Sequence, residues 1–170
     1  GAPLFNAALD AQALLAVPMR IVAGPFLPEP EWQALQQRAA TMPGVTLVRH
    51  VADLAGEMRA ARVSISQCGY NTALDLVVSQ VPALVVPYAT ATENEQRMRA
   101  ERLAEIGAVQ WLEPQGLDGA TLAAAIERLL RFTPRPAALA LDGAERTAEL
   151  LAQLLAQREP TTAEAACAAA

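Results

Sequence analysis

The chain has 170 residues, enough for one domain with a real core and too few for two full-sized ones. Apolar residues make up 53% and charged residues 18%, which is a globular composition, and a net charge of −5 leaves no basic footprint for nucleic acid or an anionic membrane. No apolar run approaches the ~20 residues that a membrane-spanning helix needs. The opening Gly1-Ala2-Pro3-Leu4-Phe5 lacks the basic region of a signal peptide, so a cytoplasmic protein, soluble or peripheral to the membrane, is expected. All 13 basic residues are arginine, which with the alanine richness reads as coding bias. Cys68 and Cys167 lie far apart, and His50 is the single histidine, so neither a disulfide framework nor a metal site is expected.

Helix and strand patterns alternate along the chain. Residues 3–16 carry apolar positions at helical spacing. Met19–Ala23 is a short apolar run ended by Gly24-Pro25, a strand followed by a turn. Pro30 opens a helix to about Ala40, standing where the first helical turn tolerates proline. Val45–Val48 reads as the next strand, Asp53 as the cap of a short helix over 54–61, and Arg62–Ser66 as a third strand. A turn, Ser66-Gln67-Cys68-Gly69-Tyr70-Asn71-Thr72, then leads into a helix from Tyr70 to about Ser79. Ala83–Val86 is a buried strand between two prolines. Thr92 is placed to cap a helix over Glu93–Ile106 that stops at Gly107. Val109–Leu112 makes a last strand, Asp118 starts a helix to about Leu130, and Asp142 starts one to about Gln157.

Short apolar strands separated by amphipathic helices imply right-handed crossovers and a parallel sheet covered on both faces. The expected fold class is therefore α/β, a Rossmann-like sheet with helices on both sides. Such a domain usually opens with a central strand and a Gly-rich turn, whereas this chain opens with a helix. The expectation is a fragment lacking its first strand, with a gap in the sheet, one domain over residues 1–158 and a flexible tail over 159–170.

In parallel α/β sheets, ligands bind at the carboxyl ends of strands, where loops enter helices. Three junctions here hold unusual polar residues. At Ser66–Thr72, Gly69 permits close backbone approach and the helix start favours an anion such as a diphosphate. Asp75, one turn on, suits a ribose diol; an ordinary turn with Thr72 as cap would account for the same residues. In Pro87–Gln96 (PYATATENEQ), Glu95 and Gln96 fall in a first helical turn, where acid and amide groups suit sugar hydroxyls. Thr92 with Glu95 also has the spacing of a capping box. At Arg49-His50-Val51, His50 has no recognisable triad partner nearby in sequence, which favours a loop or packing role.

Taken together, RHVADLAGEMRAARVSISQCGYNTALDLVVSQVPALVVPY and ENEQRMRAERLAEIGA resemble the carboxyl-terminal domain of GT-B glycosyltransferases. The pattern is most similar to the family 28 type, which includes the lipid-linked N-acetylglucosamine transferases of peptidoglycan synthesis. The resemblance is strong over about residues 45–112 and weaker in the flanking helices. It implies a UDP-sugar as substrate, no separate cofactor and no metal, since no Asp-x-Asp sequence occurs. By position it implies that Val51 meets the uracil edge, that Cys68, Gly69 and Tyr70 lie in the diphosphate turn with Thr72 in the helix behind them, that Asp75 holds the ribose in place of the usual Glu, and that Glu95 and Gln96 contact the sugar. Arg99 stands where many relatives have Asn.

It also implies that a second phosphate-contacting loop and an amino-terminal acceptor domain, with the catalytic base, lie outside this chain. No catalytic residue is assigned within it. The isolated chain is expected to bind donor weakly at best, not to catalyse transfer of a hexose or N-acetylhexosamine, and to be either marginally stable or self-associated because of its unpaired strand edges. The competing readings are a nucleotide-sugar 2-epimerase and a non-catalytic regulatory nucleotide-binding domain. The absence of G-x-G-x-x-G disfavours a Rossmann dehydrogenase.

Overall fold

The computed structural model describes residues 2–88, 94–137 and 142–156. The chain divides into two units, residues 1–137 and 138–170. In the first, α1 (Ala2–Leu15), β1 (Met19–Val22), α2 (Glu29–Ala39), β2 (Val45–Val48), α3 (Leu54–Ala60) and β3 (Ser64–Ser66) are followed by α4 (Tyr70–Ser79), β4 (Ala83–Val85), α5 (Glu95–Glu105), β5 (Gln110–Trp111) and α6 (Gly119–Leu129). The second unit contributes α7 (Gly143–Ala156), which carries Leu150, Leu151, Leu154 and Leu155 at helical spacing.

The local signals act as read. Asp53 accepts the Gly56 N–H at 2.7 Å and Asp118 accepts the Thr121 N–H at 2.7 Å, so both aspartates cap the helices they precede. Pro30 occupies the first turn of α2. Helix α1 ends where Ala16 turns to φ 51°, and α5 ends at Gly107, whose φ of 76° belongs to the left-handed region that glycine reaches without cost. There the Gly107 N–H returns to Ala104 O and the Ala108 N–H to Leu103 O, each at 2.9 Å. The Thr92 cap lies outside the described residues. Helix α5 begins at Glu95 after Asn94, which makes no side-chain cap bond.

All strand pairs are parallel, and they form two sheets rather than one: β1–β2, and β3–β4–β5. Among the described residues no strand pairing joins β1 to β3. Alternating residues of β4 divide the core into layers. Ala83 and Val85 face α3, α4 and α5 with Met58, Leu76 and Leu103, while Leu84 faces α1 and α6 with Leu122, Ile126 and Leu129. Helix α1 serves both sheets. Ala7, Ala8 and Ala11 pack with α6, while Leu9 packs with Ile21 of β1 and with Leu27 and Leu35. The helices of this layer approach closely: a Cβ on Gly119 would stand 2.3 Å from Asp10 Cβ. Burial of side chains such as Leu122 and Leu129, both at 0% exposure, is what holds this layer; truncating either to alanine costs about 2–5 kcal/mol.

Candidate functional site

The two sheets run outward in opposite senses, β1 then β2 on one side and β3, β4, β5 on the other. The order of strands reverses between β1 and β3, and in open α/β sheets the crevice at such a reversal is where ligands bind. A cleft of about 1300 Å³ lies there. Val51, Gln67 and Thr72 line it, with Gly24 and His50 from the loops after β1 and β2. His50 is exposed, as a loop residue should be.

The turn after β3 is built by its backbone. Cys68 is fully buried, so its thiol packs in the core and only its main chain faces the turn. Its N–H donates to Gln96 Oε1 at 3.1 Å, and its carbonyl accepts from Arg99 Nη1 at 2.7 Å. The same Gln96 oxygen accepts the Tyr88 N–H at 3.0 Å, which ties the segments after β3 and β4 to α5. Arg99 also lies over the Tyr70 ring, 5.7 Å from its centroid. Burial pushes the Cys68 thiol pKa up, and the nearby Arg99 charge offsets part of that rise.

Gly69 is the N-cap of α4, with no side-chain cap bond, so the Thr72-cap arrangement is not the one adopted. Its φ of −61° is open to any residue. A Cβ built there would meet only Thr72 Oγ1, at 4.0 Å. Neither backbone conformation nor protein packing asks for glycine here. The first-turn N–H groups of α4 have no intrahelical partners and face this open position. Asp75 follows Thr72 by three residues, which places the two on adjacent turns of one helix face. It is half-buried and makes no hydrogen bond or ion pair among the described residues. Glu95 is exposed at the first residue of α5.

The structure thus gathers Cys68, Gly69, Tyr70 and Gln96 around one turn and adds Arg99, which was noted in the sequence only as a departure from a family pattern. The available signal was its spacing, since Arg99 lies three residues after Gln96 and so shares its helix face. At the foot of the β2 loop, Arg49 pairs with Glu29 at 2.6 Å and donates to Leu27 O at 2.8 Å. The Arg49 guanidinium holds the Glu29 carboxyl below its ordinary pKa. Ser66 Oγ, at the end of β3, is buried without a partner among the described residues.

Parallel βα units whose junctions meet at a strand-order reversal define a Rossmann-like α/β domain. The chain belongs to the glycosyltransferase family 28 C-terminal domain family, whose model matches residues 20–155. It is similar to UDP-N-acetylglucosamine–N-acetylmuramyl-(pentapeptide) pyrophosphoryl-undecaprenol N-acetylglucosamine transferases. The Phenylobacterium zucineum protein is 29% identical over 109 residues, covering 59% of this chain and 30% of that protein. The Chromobacterium violaceum protein is 33% identical over 129 residues, covering 72% of this chain and 36% of that protein. The crystal structure of Acinetobacter baumannii MurG superposes with a TM-score of 0.72 at 19% identity, over 90% of this chain and 47% of that one, a likeness of fold. The chain spans about a third of the length of the curated relatives it matches. No described helix is long and apolar enough to cross a membrane.

Proposed function

We propose that this chain is the donor-binding half of a glycosyltransferase that moves a hexose or N-acetylhexosamine from UDP to an acceptor hydroxyl. The observation that carries the proposal is Gly69, a glycine that the protein's own packing does not require, standing at an uncapped helix start at the strand-order reversal. A diphosphate there meets main-chain N–H groups and the positive end of α4. Charge on the leaving diphosphate grows as the glycosidic bond breaks, so fixed dipoles at that point favour the transition state over the ground state. Arg99 adds positive charge beside the turn while its bond to Cys68 O holds the turn's shape. Val51 is assigned to the base, Asp75 to the ribose, and Glu95 with Gln96 to the sugar. The Cys68 N–H already donates to Gln96, so the phosphate contacts are assigned from Gly69 onward. The names of the curated relatives favour transfer over epimerisation. The acceptor domain, the catalytic base and peripheral attachment to a membrane belong, on this reading, to the longer protein.

The test is isothermal calorimetry with UDP, TDP, GDP and ADP sugars on the complete protein and on Gly69→Val. A preference for UDP that Gly69→Val abolishes without lowering Tm supports the reading. Unchanged UDP affinity in Gly69→Val would remove the turn from the site.

A further inference from the structure

We infer that the Phe26 ring stacks on the face of the donor's base, a role that rests on the donor reading above and adds to it a group that senses a flat aromatic ring. Phe26 is 96% exposed, at the cleft that Val51 also lines. A lone exposed apolar side chain on an open surface carries little meaning. This one stands on a fastened frame. The next residue, Leu27, buries its side chain with Leu9, Ile21 and Leu35, and its carbonyl accepts from Arg49 Nη2 at 2.8 Å. Arg49 pairs as well with Glu29 at 2.6 Å and lies 5.4 Å from the centre of the Trp32 ring. Pro25 and Pro28 restrict the backbone on either side of the Phe26-Leu27 pair. The loop is thus held at Leu27 while the phenyl ring beside it is left bare.

The same frame sets the ring beside the residue assigned to the base. Strands β1 and β2 pair up to Val22 and Val48, and the Ala23 N–H carries the ladder on to Val48 O at 3.0 Å. Phe26 and Val51 therefore follow the ends of adjacent strands, which lie about 4.8 Å apart in a sheet. Arg49, two residues before Val51, is the side chain that holds Leu27, so one arginine joins the two loops. The chemistry divides between them. Main-chain groups at Val51 suit the edge of a uracil, whose N–H and C=O groups lie in the ring plane, and an edge contact leaves both faces of the base bare. An aromatic ring on the neighbouring loop supplies the partner for a face, in the offset stack that two π-systems prefer. Ribose and diphosphate have no π face and gain nothing from Phe26.

The test is calorimetry on the complete protein with three ligands. UDP carries the whole base, 5,6-dihydro-UDP keeps the hydrogen-bonding edge on a ring that is no longer flat or aromatic, and ribose 5-diphosphate has no base. Phe26→Ala is expected to weaken UDP by about 5-fold to 150-fold, the range for losing one base–aromatic stack, to weaken 5,6-dihydro-UDP less, and to leave ribose 5-diphosphate unchanged. Phe26→Trp should restore UDP binding. Unchanged UDP affinity in Phe26→Ala overturns the stacking role, including the case in which only the KM for the acceptor rises and the ring serves the acceptor instead. Equal losses for all three ligands overturn it as well, since the change then acts through the shape of the loop. A parent protein that binds UDP no more tightly than ribose 5-diphosphate has no base subsite, which overturns the inference and leaves the Gly69 turn standing. A parent that binds neither defeats the donor reading and this role with it.

Discussion

Gln96 accepts the Cys68 N–H at 3.1 Å, joining the second residue of α5 to the turn before α4 across 28 positions of sequence. Because the same oxygen takes the Tyr88 N–H at 3.0 Å, one amide fixes the exits of two adjacent strands. Its removal leaves the part-buried Cys68 N–H without an acceptor, whereas the exposed Tyr88 N–H can turn to water. Gln96→Ala is expected to lower stability by about 1–3 kcal/mol, the cost of one such unsatisfied donor. Gln96→Glu keeps an acceptor and should retain most of that stability. Urea denaturation of the two variants checks this, and a Gln96→Ala protein as stable as the parent would deny the strap. If Gln96 also meets the donor sugar, Gln96→Glu should weaken donor binding while the folded state persists.

Two glycines separate packing from ligand approach. At Gly119 a new Cβ would lie 2.3 Å from Asp10 Cβ and 3.0 Å from the Asp10 carbonyl carbon, so α1 and α6 must part. Gly119→Ala is expected to cost about 1–3 kcal/mol, as overpacking usually does. At Gly69 the same added carbon meets nothing nearer than 4.0 Å. Gly69→Ala should leave stability within about 0.5 kcal/mol of the parent and still reduce UDP affinity. Paired melting and calorimetry check both; a Gly69→Ala variant that melts early would show that the turn needs glycine for folding.

The contrast between such residues explains what was legible in the sequence. Asp53 and Asp118 act within three residues of themselves, so composition and spacing revealed both caps. The strand–helix alternation likewise showed through β1, β2, β3 and β4, because each is a short apolar run with a turn signal beside it. Long-range geometry was not legible. The sequence puts Cys68 in the turn without saying which way its side chain goes, and the structure buries that side chain in the core. That Gln96 and Arg99 grip the two ends of the Cys68 peptide depends on how α5 packs, which no local pattern encodes.

The burial of Cys68 has a pH signature. Its pKa is raised in the folded protein by burial, only partly offset by the Arg99 charge. The folded state therefore holds the thiol proton more tightly than the unfolded chain, whose cysteines titrate near pH ~8.5. This contribution is fully present below that pH and is lost as pH rises from there through the folded value. Denaturation midpoints measured from pH 7 to 10 should fall more steeply for the parent than for Cys68→Ala. Parallel curves would show that the thiol titrates alike in both states.

Asp75 offers the sharpest separation of binding from folding. The carboxylate is half-buried, one helical turn past Thr72, and engages no other side chain or backbone group among the described residues. An acid with no protein partner contributes little to stability, so Asp75→Ala should leave the melting curve in place. If it accepts the ribose hydroxyls, the same change should weaken UDP binding by about 1–3 kcal/mol, or about 5-fold to 150-fold. The ribose assignment is checked with 2′-deoxy-UDP. A substrate lacking one partner of the bond should bind the parent more weakly and lose less on Asp75→Ala, because part of the interaction is already gone. Equal losses for UDP and 2′-deoxy-UDP would mean that Asp75 holds the 3′-hydroxyl rather than the 2′-hydroxyl, since the field of a carboxylate repels the diphosphate and its removal would raise affinity. Unchanged affinity for both would remove it from the site and leave the turn at Gly69 to hold the nucleotide without a ribose anchor on this helix.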